Sequence, residues 1–272
     1  MNKKNKKFNT KAIHVGQDPE KLYGAVSLPI YLTSTFKQQE FGEYEYDYSR
    51  AGNPTRTNLE NNISALEEGK EGIAFSSGMG AISAVIHLLS AGDEIIFTRN
   101  VYGGTYRVME KIYKNFDIKP HWVDTTDIDV IKKTINQNTK MIYIETPTNP
   151  MMEICDIKAI SRICKQSKCI LVADNTFMSP YNQRPLTLGA DIVMHSITKY
   201  LNGHSDVIGG ILVSKKKELI DKLRFIQMSV GAVPSPFDCW LTQRSLKTLS
   251  VRMQTHNNNA FEIAHFLQSF SK

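Results

Sequence analysis

From about residue 57 onward, short apolar runs rich in β-branched residues alternate with stretches of helical period. That alternation limits what this chain can fold into more than any other feature. TNLENNISALEEG carries apolar residues at helical spacing and ends on Gly69, and GIAFSS follows as a short buried strand. GMGAISAVIHLLSAG is helical and closes at Gly92; EIIFT is a strand, and YGGTYRVMEKIYKNF opens the next helix. IKPHWVD, KMIYIET, CILVADN, DIVMHS and VIGGILVS read as further strands, with IDVIKKTIN and DIKAISRICKQSK as helices between them. Apolar runs without polar alternation belong to strands buried on both faces. The pattern therefore predicts an α/β fold with a mostly parallel seven-stranded sheet sandwiched by helices.

Both ends depart from this rhythm. Residues 1–50 show little periodicity and read as an extended arm rich in Tyr, Thr and Pro. From Lys215 the pattern is helical only, through KKKELIDKLRFIQMSVG, PSPFDCWLTQRSLKTL and HNNNAFEIAHFLQSF. The expected division is an arm over 1–50, a main domain over 51–245 and the start of a further domain over 246–272. The last amphipathic helix either docks back on the main domain or has lost a natural partner.

Charge narrows the functions. The formal net charge of +6 comes mostly from Lys3, Lys4, Lys6, Lys7 and Lys11, so the remainder stands at 6 − 5 = +1. A nearly neutral body lacks the basic face of a nucleic-acid binder. Cys155, Cys164, Cys169 and Cys239 form no CxxC pair, and His195 and His204 give no metal-ligand spacing. Unpaired thiols, no signal-peptide pattern and no membrane-length apolar run lead to a cytoplasmic expectation, without metal, membrane or nucleic acid.

Sites in parallel α/β sheets form at the carboxyl ends of strands. After GIAF come Ser76, Ser77, Gly78, Met79 and Gly80, small residues opening a helix whose free N–H groups suit a phosphate. After EIIFT comes Tyr102 with Gly103 and Gly104; after MIYIE comes a turn with Asn149. CILVA is followed by Asp174 and Thr176, and DIVMH by Ser196, Thr198 and Lys199. Singly, these residues suit a close-packed turn, a core ring, an N-cap and a surface lysine. Together at successive strand ends they match the needs of pyridoxal 5′-phosphate: a phosphate cradle, an acid for the pyridinium nitrogen and an amine for the aldehyde. A lysine kept apart from acids and partly desolvated becomes a usable nucleophile.

Eight stretches carry a resemblance that runs from about Lys11 to Phe266: AIHVGQDPE, YSRAGNPTR, SSGMGAI, VYGGTYR, IETPTNP, VADNTFMSPYNQRPLTLGAD, HSITKYLNGHSDVIGG and VGAVPSPFDCW. By them the chain resembles the Cys/Met-metabolism family of pyridoxal-phosphate enzymes. SVGAVPSPFDCW and RSLKTLSVRM tilt the likeness toward its cystathionine γ-lyase branch. Gly104 stands where methionine γ-lyases carry cysteine, which argues against that branch.

The resemblance implies that Lys199 bonds covalently to the cofactor aldehyde and then moves substrate protons. It implies that Asp174 pairs with the ring nitrogen, Tyr102 stacks on the ring and aids proton transfer, and Asn149 meets the ring hydroxyl. Gly78, Met79, Ser196 and Thr198 would hold the phosphate, with Thr176 near the ring. Tyr48 and Arg50 would reach the cofactor of a neighbouring subunit, in a tetramer built from dimers. Arg107 and Glu145 match positions near the substrate, though a helix-face arginine and a strand-end glutamate equally fit an ordinary ion pair. The activity implied is α,γ-elimination of cystathionine to cysteine, 2-oxobutyrate and ammonia, with hydrogen sulfide from cysteine as a side product. Cystathionine γ-synthase and β-lyase share the site. Family members extend beyond Lys272 and there carry a carboxylate-binding arginine, so a shortened, non-catalytic subunit is the alternative of another class.

Overall fold

All seven apolar runs lie in one sheet. The computed structural model describes residues 7–270; Lys3, Lys4 and Lys6 of the basic arm fall outside them. The strands are β1 Glu71–Phe75, β2 Glu94–Thr98, β3 Lys119–Val123, β4 Thr139–Glu145, β5 Ile170–Asp174, β6 Ile192–Ser196 and β7 Gly210–Ser214. Their order is β1-β7-β6-β5-β4-β2-β3. Every pairing is parallel except those of β7, which runs antiparallel to both β1 and β6.

The helices are α1 Phe8–His14, α2 Pro54–Leu66, α3 Gly78–Ile86, α4 Gly103–Lys111, α5 Ile128–Thr134, α6 Ile157–Ser167, α7 Ser179–Asn182, α8 Pro185–Leu188, α9 Lys217–Val230, α10 Pro236–Leu246 and α11 Leu249–Gln268. Their starts follow from capping chemistry. Asn53 accepts from the N–H groups of Thr55 and Arg56 with Pro54 in the first turn, and Asp127 and Asp156 cap α5 and α6 in the same way. Gly231 ends α9 at a φ of 81°, a left-handed conformation that glycine adopts without penalty.

The side-chain alternation of the strands divides the core into two layers. Ile73, Phe75, Ile95, Phe97, Tyr143, Val172 and Met194 meet α3, α4 and α9 on one face. On the other, Val193, Ile211 and Val213 meet α2 and α10, while Ile96, Ile142, Ile144 and Leu171 meet α5 and α6. Cys155, Cys164, Cys169 and Cys239 are buried and unpaired in these layers.

The ends differ in part from the sequence reading. The arm is not wholly extended: α1 buries Ala12 against α2, and Asn62 donates its amide to the carbonyls of Lys11, Ala12 and Val15. Seven residues give too few turns for a periodic signal. Further along, Trp240 donates to Leu28 O and Gln243 to Gly16 O, fastening the arm to α10. The last helix begins earlier than its sequence pattern, at Leu249. Leu249 and Met253 join the α2 layer, whereas Phe261, Ile263, Phe266 and Leu267 are exposed. Among the described residues no helix is long and apolar enough to cross a membrane.

Candidate active site

Register brings the strand ends together. Phe75 lies opposite Gly210, Gly210 opposite Ser196, Met194 opposite Asp174, and Asp174 opposite Glu145. The carboxyl ends of β1, β6, β5 and β4 therefore form one edge, and the turns that follow them share it.

The cradle is built at the start of α3. Ser77 caps this helix by accepting from Gly80 N–H at 3.0 Å, which leaves the N–H groups of Gly78 and Met79 without intrahelical partners. A Cβ at Gly78 would sit 3.0 Å from both Cβ and Oγ of Ser196, and one at Gly210 only 2.3 Å from Ser77 O. Only backbone fits where these turns approach. The opening of α3 is thus a side-chain-poor, N–H-rich turn beside the Ser196 hydroxyl, which suits an anion.

Beside it stands the acid. Asp174 is 6% exposed; Tyr143 Oη donates to Oδ2 at 3.0 Å and Thr176 N–H to Oδ1 at 3.0 Å. Burial raises its pKa, opposed by the bonds from Thr176 and Tyr143 and by the nearby His195. A buried carboxyl held by two donors is poised to meet a cationic ring nitrogen. Thr176 continues the chain of contacts by accepting from Ser196 N–H at 2.8 Å. Asp174, Thr176, Ser196 and Gly78 therefore lie in sequence along the edge.

Tyr102 precedes α4, and its ring covers Gly104. A Cβ at Gly104 would meet Tyr102 Cε1 at 2.3 Å and Met79 Sδ at 2.8 Å, so the ring reaches the cradle helix. A cysteine at this position would displace the ring. Thr198 hydroxyl donates to Gly209 O at 3.3 Å and accepts from Gly209 N–H at 3.1 Å, so its first task is to close the turn from β6 to β7.

Two expectations take a different form. Lys199, in the turn after β6, is exposed rather than partly desolvated. Glu145 makes no ion pair among the described residues: it is 7% exposed, and its oxygens accept the backbone N–H groups of Tyr102 at 2.7 Å and Asn149 at 3.2 Å. Arg107 is exposed on α4 and is not its partner. Tyr48 and Arg50, expected at a neighbouring subunit's cofactor, lie outside this chain's own cluster; Arg50 donates to Met228 O and stacks 5.2 Å from the Tyr48 ring centroid.

Two groups escaped the sequence reading. Tyr143 shares a face with Glu145 by alternation, so it could have been found once Asp174 was placed opposite. From β6, His195 turns to the α2 layer, where Nε2 lies 2.5 Å from Glu67 Oε1; Asn175 donates to the same oxygen at 2.8 Å. Both partners of that pair are almost wholly buried. No local pattern announces a contact between residues so far apart in the chain.

A lysine following a strand, a buried acid and a phosphate-type cradle on one edge of a doubly covered parallel sheet define a pyridoxal-phosphate-dependent class of enzyme. The family described as Cys/Met metabolism PLP-dependent enzyme matches residues 9–272, and the chain belongs to it; pyridoxal phosphate is its cofactor. A "Probable cystathionine gamma-synthase" of Herpetosiphon aurantiacus is 49% identical over 96% of this chain and 82% of its own length. A "Cystathionine beta-lyase" of Lactococcus lactis is 51% identical over 96% of this chain and 69% of its own. The crystal structure of a cystathionine γ-lyase from Lactobacillus plantarum complexed with L-serine superposes with a TM-score of 0.95 at 47% identity, covering 97% of this chain and 69% of that one. The relatives are carbon–sulfur enzymes of cystathionine metabolism.

Proposed function

We propose that this chain serves α,γ-elimination of cystathionine, releasing cysteine, 2-oxobutyrate and ammonia, and on cysteine releases hydrogen sulfide. The observation that carries the cofactor-site reading is the contact chain Asp174–Thr176–Ser196 ending at the open start of α3. The γ-lyase assignment rests on the SVGAVPSPFDCW and RSLKTLSVRM segments and on the likeness to a solved γ-lyase. The glycine beneath Tyr102 supports it against a methionine γ-lyase.

When bound, pyridoxal phosphate supplies an electron sink that stabilises negative charge at the substrate α-carbon. Gly78 and Met79 N–H groups, with the Ser196 and Thr198 hydroxyls, would anchor its phosphate. Asp174, bonded by Tyr143, keeps positive charge on the ring nitrogen. Tyr102 would cover the ring, with Thr176 packed near it and Asn149 meeting its hydroxyl oxygen. Lys199, free of competing acids, would hold the aldehyde and is the amine on this edge available to move substrate protons. Arg107, exposed on α4 at the same edge, is available to a substrate carboxylate.

The exposed Tyr23, Leu32, Phe41 and Tyr48 of the arm support burial against a second copy, with Tyr48 and Arg50 serving the neighbour's cofactor in a cytoplasmic homotetramer. The same reading keeps 1–50 as arm, 51–245 as cofactor domain and 246–272 as the start of a further domain.

The relatives named β-lyase and γ-synthase support a second reading at the same site. Product analysis separates the three. Cysteine with 2-oxobutyrate from cystathionine supports the γ-lyase. Homocysteine with pyruvate marks the β-lyase, and cystathionine formed from cysteine and an activated homoserine marks the synthase. Absence of all three, with a visible cofactor band that Lys199→Ala abolishes, would assign the chain to a cofactor-binding but non-catalytic subunit.

A further inference from the structure

We infer that Glu145 is a positioning residue: its carboxylate ties the backbone of the Tyr102 turn to that of the Asn149 turn and so fixes the spacing of the two groups that flank the cofactor ring. The inference rests on the cofactor-site reading above and assigns Glu145 a task other than substrate contact.

The geometry is that of a clamp. Oε2 accepts from Tyr102 N–H at 2.7 Å and Oε1 from Asn149 N–H at 3.2 Å. The two donors come from turns after different strands, β2 and β4, so one side chain joins two parts of the site. Its own N–H donates to Thr98 Oγ1 at 3.3 Å, which fixes the end of β4 against β2. Tyr102 occupies the N-cap position of α4 but makes no side-chain cap, so the Glu145 carboxylate supplies the negative charge that a helix start favours.

A buried carboxylate is an expensive way to hold two turns. Burial and the neighbouring Asp174 carboxylate push its pKa up to about 7, against the pull of the two backbone donors. Asp174 stands opposite on β5, and the Tyr143 phenol lies two residues back on the same face of β4. Among the described residues no lysine, arginine or histidine forms an ion pair with Glu145 to offset the charge. An apolar residue would bury at this point with less cost. What it could not do is accept from both turns at once. Protonation has the same consequence in milder form, because a neutral carboxyl has one oxygen occupied by its own proton and releases one turn.

The test is amide hydrogen exchange on the 272-residue chain stripped of cofactor, comparing wild type with Glu145→Gln. Glutamine keeps one acceptor and turns an NH2 group toward the other donor. Protection at the Tyr102 or Asn149 amide is expected to fall about tenfold, and the Kd for pyridoxal phosphate to rise about tenfold, with no fall in melting temperature at pH 8. Unchanged protection at both amides would overturn the inference. If Glu145→Gln fails to fold, wild type at pH 5.5 and 8.5 decides instead: protection at one of these two amides, corrected for intrinsic rates, should be lower at pH 5.5, and equal values at both would overturn it. Should wild type bind no pyridoxal phosphate, the cofactor-site reading fails, while the exchange result still decides whether the clamp exists.

Discussion

The carboxyl edge of the sheet has an inner layer and an outer layer, and they are built differently. Asp174, Glu145 and Tyr143 lie inside, buried and hydrogen-bonded to strands or turns. Lys199, Tyr102, Asn149 and Arg107 lie outside on turns and a helix face, exposed. The inner layer is fixed by strand register, before any ligand arrives. The outer layer is held chiefly by its backbone, leaving side chains free to engage. The division teaches that substitution in the outer layer should alter function without altering stability, whereas the inner layer should couple the two.

Lys199→Ala is the strongest test of that division. Turnover should fall by about 10³-fold or more, since both the covalent tether and the proton-moving base are lost. The melting temperature of the cofactor-free chain should stay within about 1 °C, because an exposed residue without partners contributes little. A large destabilisation measured by calorimetry would break the comparison.

Asp174→Asn comes next. It removes the charge opposite the ring nitrogen, and steady-state turnover should fall by about 10²-fold. A visible cofactor band that no longer keeps its ring protonated at neutral pH would identify the cause; an unaltered band would reassign the acid.

Stability should also depend on pH through the inner layer. Glu145 binds its proton more tightly in the fold, with a pKa of about 7, than in the unfolded chain. A carboxyl with a raised folded pKa stabilises the fold less and less as pH rises from the unfolded value toward 7. Asp174, raised by burial, acts in the same direction. Between pH 4.5 and 8 the Glu145 contribution amounts to at most about 3 kcal/mol. Urea denaturation of the cofactor-free chain should show that decline, and Glu145→Gln should flatten it. A curve equally steep in the variant would remove Glu145 as its source.

Tyr143→Phe should have the smallest effect. It deletes one hydrogen bond to Asp174 and leaves the ring packed, so cofactor affinity should fall by about tenfold or less. An effect as large as that of Asp174→Asn would mean that the phenol does more than hold the acid.

Legibility in the sequence followed the range of the interactions. All seven strands were visible because each is a contiguous apolar run, and the order of residues after each run located Gly78, Tyr102, Asp174, Ser196 and Lys199 at strand ends. The short α1 escaped because seven residues carry too little period, and its anchor, Asn62, lies in α2. Tyr143 looked like one more core aromatic in KMIYIET; only the register that sets Asp174 opposite Glu145, two residues further on, brought its phenol a partner. The Glu67–His195 pair had no local signal. Glu145 was visible as a strand-end acid, but its bonds to Tyr102 and Asn149 were not.

The sequence by itself determined the alternating architecture and the cofactor-binding residue types, because hydrophobic period and turn chemistry act between near neighbours. The tertiary structure alone decided which strand ends meet and which acids lie buried together. It also decided which side of the site stays open. Register and strand order set those distances, and both depend on packing between segments far apart in the chain.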